Sequence, residues 1–404
     1  MLKSLCFAIS IHNYPNTFTT LSPFPIIIHS QLSIMSSTLH SPLSSTLSPT
    51  SSLQVKRLRI PARSVDSAVV FKPRRFYPSI RAAANFSSSL DTGLSTELDA
   101  VTSYSEIVPD TVVFDDFERF PPTAATVSSS LLLGICSLPD TKFRSAVDTA
   151  LADSECYAFE KSDDRVCCFV NKALVNVGGD LAKLVPGRVS TEVDARLAYD
   201  TQAIVQKGIE ASRILELEGI QTHVTFVYSF CQAAAAAQAG ASIIQIFVGR
   251  LRDWARNHTG DSEVDAALNK GEDPGLTLVT KTYNYIHKYG HKSKLMAAAI
   301  RNKQDVFNLL GVDYIICPLK ILQVLKESVT PPDEKYSLIR RLSPQTAASY
   351  NFSNEELVNW DENSFASALG PAAMGLLTAG MDGYASQSTR VEELFEKLWP
   401  PPNV

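Results

Sequence analysis

Residues 185–200 read VPGRVSTEVDARLAYD. A Pro186-Gly187 turn leads into a short extended run, Arg188 to Glu192. Val193-Asp194-Ala195-Arg196-Leu197 then forms a charge-rich opening for a helix. The carboxylate of Glu192 is thereby expected where a strand ends and a loop begins. In a parallel barrel that is the face on which chemistry takes place. An isolated acid at a strand end is more often a plain surface residue. Glu192 gains its weight from the rest of the chain.

Working outward, apolar runs with strand character fall at 111–114, 126–132, 188–192, 222–229, 242–248, 294–299 and 313–317. Amphipathic stretches such as 277–289 and 303–310 separate most of them, which is the βαβα alternation of a parallel α/β protein. Residues 354–398 read as helix throughout, with Gly370-Pro371 and Gly380 as expected breaks. Seven strands are predicted, whereas a closed barrel of this class needs eight.

The 404 residues accommodate a barrel of ~250 residues with extensions. The net charge of −5 conceals an asymmetry. Residues 1–90 hold nine Lys and Arg against a single acid, Asp66, for +8, which leaves −13 on the remainder. So acidic a body argues against a nucleic-acid partner. No apolar run approaches the ~20 residues of a membrane-spanning helix, so no membrane role is expected. The seven Cys show no Cys-x-x-Cys spacing and are expected to be reduced core residues. With the seven His dispersed, no metal site is predicted. Without a Gly-x-Gly-x-x-Gly turn, no nicotinamide cofactor is predicted either.

Residues 1–85 are expected to be a disordered leader, and 86–404 the folded domain. Residues 36–53 are more than half Ser and Thr, and basic clusters follow at Lys56-Arg57-Leu58-Arg59 and Lys72-Pro73-Arg74-Arg75. Arg81-Ala82-Ala83-Ala84 then supplies a small-residue step. Ser-rich, Arg-rich and acid-poor is the composition of an organelle transit peptide, here expected to be a plastid one. Met35-Ser36-Ser37 reads as a more natural start than Met1.

Several phrases share one resemblance. Leu184 to Asp200, Ile246-Phe247-Val248-Gly249-Arg250 with Asp253-Trp254, and Asp273-Pro274-Gly275 resemble the signatures of plant plastid transaldolases. The resemblance spans about residues 104–400. It implies a (β/α)8 barrel of the class I aldolase type with additional C-terminal helices, working in the chloroplast stroma. The implied chemistry is transfer of a dihydroxyacetone unit between sugar phosphates, through a Schiff base on a lysine and without a cofactor. By the resemblance Glu192 and Asp110 are proton-transfer groups and Thr225 positions the reacting water. Arg250 and Arg301 hold phosphate, as bidentate guanidinium groups do well. Ser128 stands where the family has a substrate-binding Asn, and its hydroxyl cannot present the same donor and acceptor pair. Gln245 stands where the family usually has Ser. No residue pattern sets an oligomeric state.

The largest departure lies between Asp200 and Gly219. The first half of one family helix runs at Lys207-Gly208 into the start of the next, without the strand that bears the Schiff-base lysine. The gap matches one βα unit of ~30 residues. Lys207, Lys294 and Lys320 lack the buried strand setting that lowers an amine's pKa. The chain is therefore expected to be impaired or inactive. The alternative is a non-catalytic protein that binds sugar phosphate or a partner.

Overall fold

The computed structural model describes the backbone of residues 6–11, and residues 96–399 apart from 112, 139–142, 195–211, 214, 218, 330–337, 339, 361–363 and 366–367. The Lys207-Gly208 junction lies outside the described residues. Among the described residues, eight strands form one sheet: β1 (Cys6–Ile11), β2 (Glu106–Asp110), β3 (Ala125–Val127), β4 (Val189–Glu192), β5 (Gln221–Val227), β6 (Ile243–Phe247), β7 (Lys294–Ala298) and β8 (Tyr314–Pro318). Their spatial order is β2-β8-β7-β6-β5-β1-β4-β3. Strands β2 to β8 run parallel, and helices follow most of them, as in a TIM-type α/β fold. The exception is β1, antiparallel to both neighbours, β4 and β5.

The edge strands β2 and β3 share no ladder, yet the sheet curls. Val108 of β2, Ala124 beside β3, Ile243 of β6 and Met296 of β7 make one buried cluster, which side chains from such distant strands can form only around a common interior. Thr123 also donates its hydroxyl to Glu106, joining the two edges. Outside the strands, helices Phe230–Gln238 and Pro274–Lys288 lay apolar faces against the central sheet. Helix Ser162–Leu184 covers β3 and β4.

Four expectations are corrected. The strand near 111–114 is instead β2, a few residues earlier. Thr111 is a turn residue, its hydroxyl bonded to Asp116 at 2.7 Å and accepting from the Val113 N–H at 3.1 Å. Pro109 hides β2 from pattern reading but is tolerated because β2 is an edge strand. The run 126–132 splits: β3 ends at Val127, Ser128 caps a helix, and Ser129–Ser137 are helical. Finally, Cys156 and Cys168 are joined by a disulfide across a Cα separation of 5.5 Å, fastening the turn Ser154–Tyr157 to the helix that follows. Their separation of twelve residues has no recognisable spacing, which is why they read as reduced.

Gly380 does not break its helix. Gly370–Leu398 is continuous, and a Cβ at 380 would stand 2.6 Å from the buried ring of Phe226, so glycine allows the close approach. Phe226 has φ of 57° at the irregularity in the β5–β6 register, and Tyr384 packs edge-on against its ring at 4.9 Å.

Gly249 serves a similar purpose just after β6. A Cβ there would overlap the Ala299 carbonyl oxygen and the Arg301 side chain. Gly249→Ala is expected to cost about 1–3 kcal/mol of unfolding free energy through overpacking, read from the urea midpoint.

Candidate active site

Glu192 is the last residue of β4, at the C-terminal end of the parallel strands. Its carboxylate accepts twice from one residue: from the Ser129 N–H at 3.0 Å and from the Ser129 hydroxyl at 3.0 Å. The local reason is the cap. The Ser128 hydroxyl accepts from the Leu131 N–H at 3.3 Å, which starts the helix at Ser129 and leaves that residue's N–H without an intrahelical acceptor. A helix N-terminus favours a carboxylate. Burial nevertheless dominates and lifts the Glu192 carboxyl from 4.5 to about 7, aided by repulsion from Asp194 and opposed by both Ser129 hydrogen bonds. A carboxyl in that range can both give and take a proton at neutral pH.

The sequence pointed to Ser128 as the substrate-facing hydroxyl, but the structure commits it to the cap and brings Ser129 to Glu192. The available signal was positional, because the residue after a helix cap has a free N–H. Ser129 Oγ also lies 3.5 Å from Ser388 Oγ, so the C-terminal helix reaches this corner of the site.

Deeper in the sheet, His223 of β5 is buried, its Nδ1 3.0 Å from the Ser190 hydroxyl of β4. Burial pushes its imidazole down to about 4, opposed by the nearby Gln245 side chain. His223 is therefore neutral at pH 7. Reading strand by strand passed over it, since the contact that involves Gln245 exists only once β4, β5 and β6 are assembled. Thr225 follows two residues on, paired with Cys6 of β1, while Glu192 is paired with Ala8. Glu192 and Thr225 thus stand on strands that flank one intervening strand.

The arginines sort by their partners. Arg250, in the first turn of helix Val248–Ala255, lies over the Phe247 ring at 4.3 Å and donates to the Tyr228 hydroxyl at 3.2 Å. Arg301 follows β7 and pairs with Asp253 at 2.6 Å, both side chains about half exposed. An ion pair that exposed is weak and exchangeable. Arg252 is different: it is largely buried, bonded to Asp273 and to both oxygens of Asp305 at 3.2 and 2.7 Å. Asp273 in turn caps helix Pro274–Lys288, accepting from Gly275 and Leu276. Arg252 is thus structural, whereas Arg250 and Arg301 offer guanidinium groups at the strand ends. Asp110 ends β2, exposed to water yet with its carboxyl raised by partial desolvation.

A cavity of about 360 Å³ opens elsewhere, among the helices around Asp261, Glu263 and Lys281. Its Lys281 is engaged by Glu263 and Glu356, and it adds nothing to the chemistry at Glu192.

The family description Transaldolase/Fructose-6-phosphate aldolase matches residues 203–370. A transaldolase of Histophilus somni (strain 2336) is 34% identical over 338 residues, covering 76% of this chain and 100% of that protein. One from Haemophilus influenzae (strain PittEE) is 34% identical over 321 residues, covering 72% of this chain and 96% of its own length. A third, from Mannheimia succiniciproducens, is 32% identical over 332 residues, covering 75% and 99%. The chain belongs to the transaldolase/fructose-6-phosphate aldolase family.

For a transaldolase relative, the lysines are the side chains to locate. Among the described residues the strands carry one, Lys294, at the N-terminal end of β7 and paired with Asp313 at 2.7 Å. Lys320 is exposed in the helix Leu319–Glu327 that follows β8. Among the described residues no group of His, Cys, Asp and Glu could hold a metal ion, and no helix is long and apolar enough to cross a membrane.

The raised Glu192 value sets a pH dependence. Because the folded value of about 7 exceeds the 4.5 of the free side chain, protonation favours the fold. This contribution is full below about pH 4.5, falls as pH rises, and is lost above about 7. Glu192→Gln, which cannot ionise, is expected to remove a decline on the order of 2–3 kcal/mol between pH 5 and 8, measured by urea unfolding. Ser129→Ala removes a hydrogen bond that favours the carboxylate, so carboxyl NMR titration is expected to show Glu192 raised further.

Proposed function

We propose that this chain derives from a plastid transaldolase of the pentose phosphate pathway and is itself impaired in catalysis. The reaction moves a dihydroxyacetone unit between sedoheptulose 7-phosphate and glyceraldehyde 3-phosphate, giving erythrose 4-phosphate and fructose 6-phosphate. Family membership supports a transaldolase-type function. The observation that carries the reading is Glu192, held by Ser129 at the strand ends with its carboxyl near neutrality. In this reading Glu192 and Asp110 move protons and Thr225 orients water, while Ser128 caps the helix that presents Ser129 to Glu192. Arg250 and Arg301 take the phosphate, Arg301 by exchanging Asp253 for it.

The impairment follows from chemistry. Carboxylates can shuttle protons, but the carbanion left by carbon–carbon cleavage needs an electron sink, which a lysine Schiff base supplies. We infer that this chain lacks that lysine, a reading supported by the single, misplaced strand lysine among the described residues. The retained arginines favour a second reading, a sugar-phosphate binder without turnover. The basic, Ser-rich leader supports plastid targeting.

Incubation with fructose 6-phosphate followed by borohydride reduction is expected to give no covalent adduct by intact mass. A coupled assay with erythrose 4-phosphate is expected to show no turnover. An adduct, mapped to any lysine, would overturn the impairment and name the nucleophile.

A further inference from the structure

Between β4 and β5 the sheet leaves room for one strand. Chain connectivity does not supply it: β4 ends at Glu192, β5 begins at Gln221, and no described residue between them or later in the chain contributes a strand to the gap. Cys6–Ile11 fills it. Four residues pair with β4, from Ala8 opposite Glu192 to Ile11 opposite Val189. Five pair with β5, from Cys6 opposite Thr225 to Ser10 opposite Gln221.

The direction of β1 is informative. A strand within a βα series is bound to run parallel, because the helix that feeds it must return to the same end of the sheet. Among the described residues no crossover helix links β1 to β4 or β5, so that constraint does not bear on it. It can enter antiparallel, the slightly more stable pairing per residue. Cys-Phe-Ala-Ile-Ser-Ile is also a composition suited to a central strand, with apolar and β-branched residues and no charge or proline. Without it, β4 and β5 would each present a row of unpaired N–H and C=O groups in the middle of the sheet.

We propose that Cys6–Ile11 is a built-in replacement strand. It occupies the β4–β5 slot in place of a parallel strand in the full-length chain, so removal of residues 1–85 as a targeting leader would take this strand away. The strand runs past Glu192, His223 and Thr225 by register, so the alignment of these site residues depends on it. This holds or fails independently of whether the chain turns over sugar phosphates.

Hydrogen exchange read by mass spectrometry on the full-length chain tests it. Because β1 is paired on both sides, every N–H along it faces one neighbour or the other, and proline at its centre deletes a donor wherever that donor points. In the unsubstituted chain, peptides containing residues 6–11, 189–192 and 221–227 are expected to be protected together. Ile9→Pro is expected to speed exchange in all three by roughly tenfold or more and to lower the melting temperature by about 5 °C. Ile9→Val keeps the N–H and is expected to retain the protection. Exchange at residues 6–11 as fast as in a free peptide would overturn the proposal. So would an Ile9→Pro chain whose 189–192 and 221–227 segments stay as protected as before.

Discussion

A strand inside a sheet must have partners on both sides, because each residue's N–H and C=O are left costly and unsatisfied when buried without a bond. In this chain the requirement bears hardest on β4 and β5, the strands that bear Glu192, His223 and Thr225. They meet it through β1, drawn from near the N-terminus and running against the direction of every other strand. Ser190 and His223 come within 3.0 Å of each other although a strand lies between their own. The site is thus assembled across the least conventional part of the sheet.

At the end of β4 the controlling balance is between burial and hydrogen bonding. Desolvation alone would drive Glu192 further towards its neutral form, while Ser129 supplies two donors that hold it back to about 7. The Ser129 N–H is available only because Ser128 caps the helix one residue earlier. Cap, donor and carboxyl therefore form one dependent series, which the C-terminal helix reaches through Ser388, while Tyr384 of the same helix packs on Phe226. Two adjacent serines share this work. One is spent on backbone geometry and the other on electrostatics.

Much of the parallel scaffold was legible in the sequence. The apolar runs near 188–192, 222–229, 242–248, 294–299 and 313–317 became β4 to β8, because period and β-branching report burial on a pleated sheet directly. The departures have local causes. Pro109 masks an edge strand, and Ser128 ends β3 by starting a helix. Gly380 looks like a break but marks the contact of its helix with Phe226. The disulfide of Cys156 and Cys168 gave no signal, since proximity between a short turn and the next helix is not encoded in spacing.

The sequence by itself determined the family, the parallel α/β architecture and the acid at the end of the fourth strand. Those features rest on contiguous residues, where propensity, turn chemistry and short phrases suffice. Only the tertiary structure decided that Ser129 rather than Ser128 grips Glu192, and that neutral His223 meets Ser190. It also decided that Arg252 is tied down while Arg301 faces water. Each of these depends on distances between residues far apart in the chain. The same is true of β1: six residues with strand propensity acquire a place only when two distant strands leave an unpaired edge of matching length.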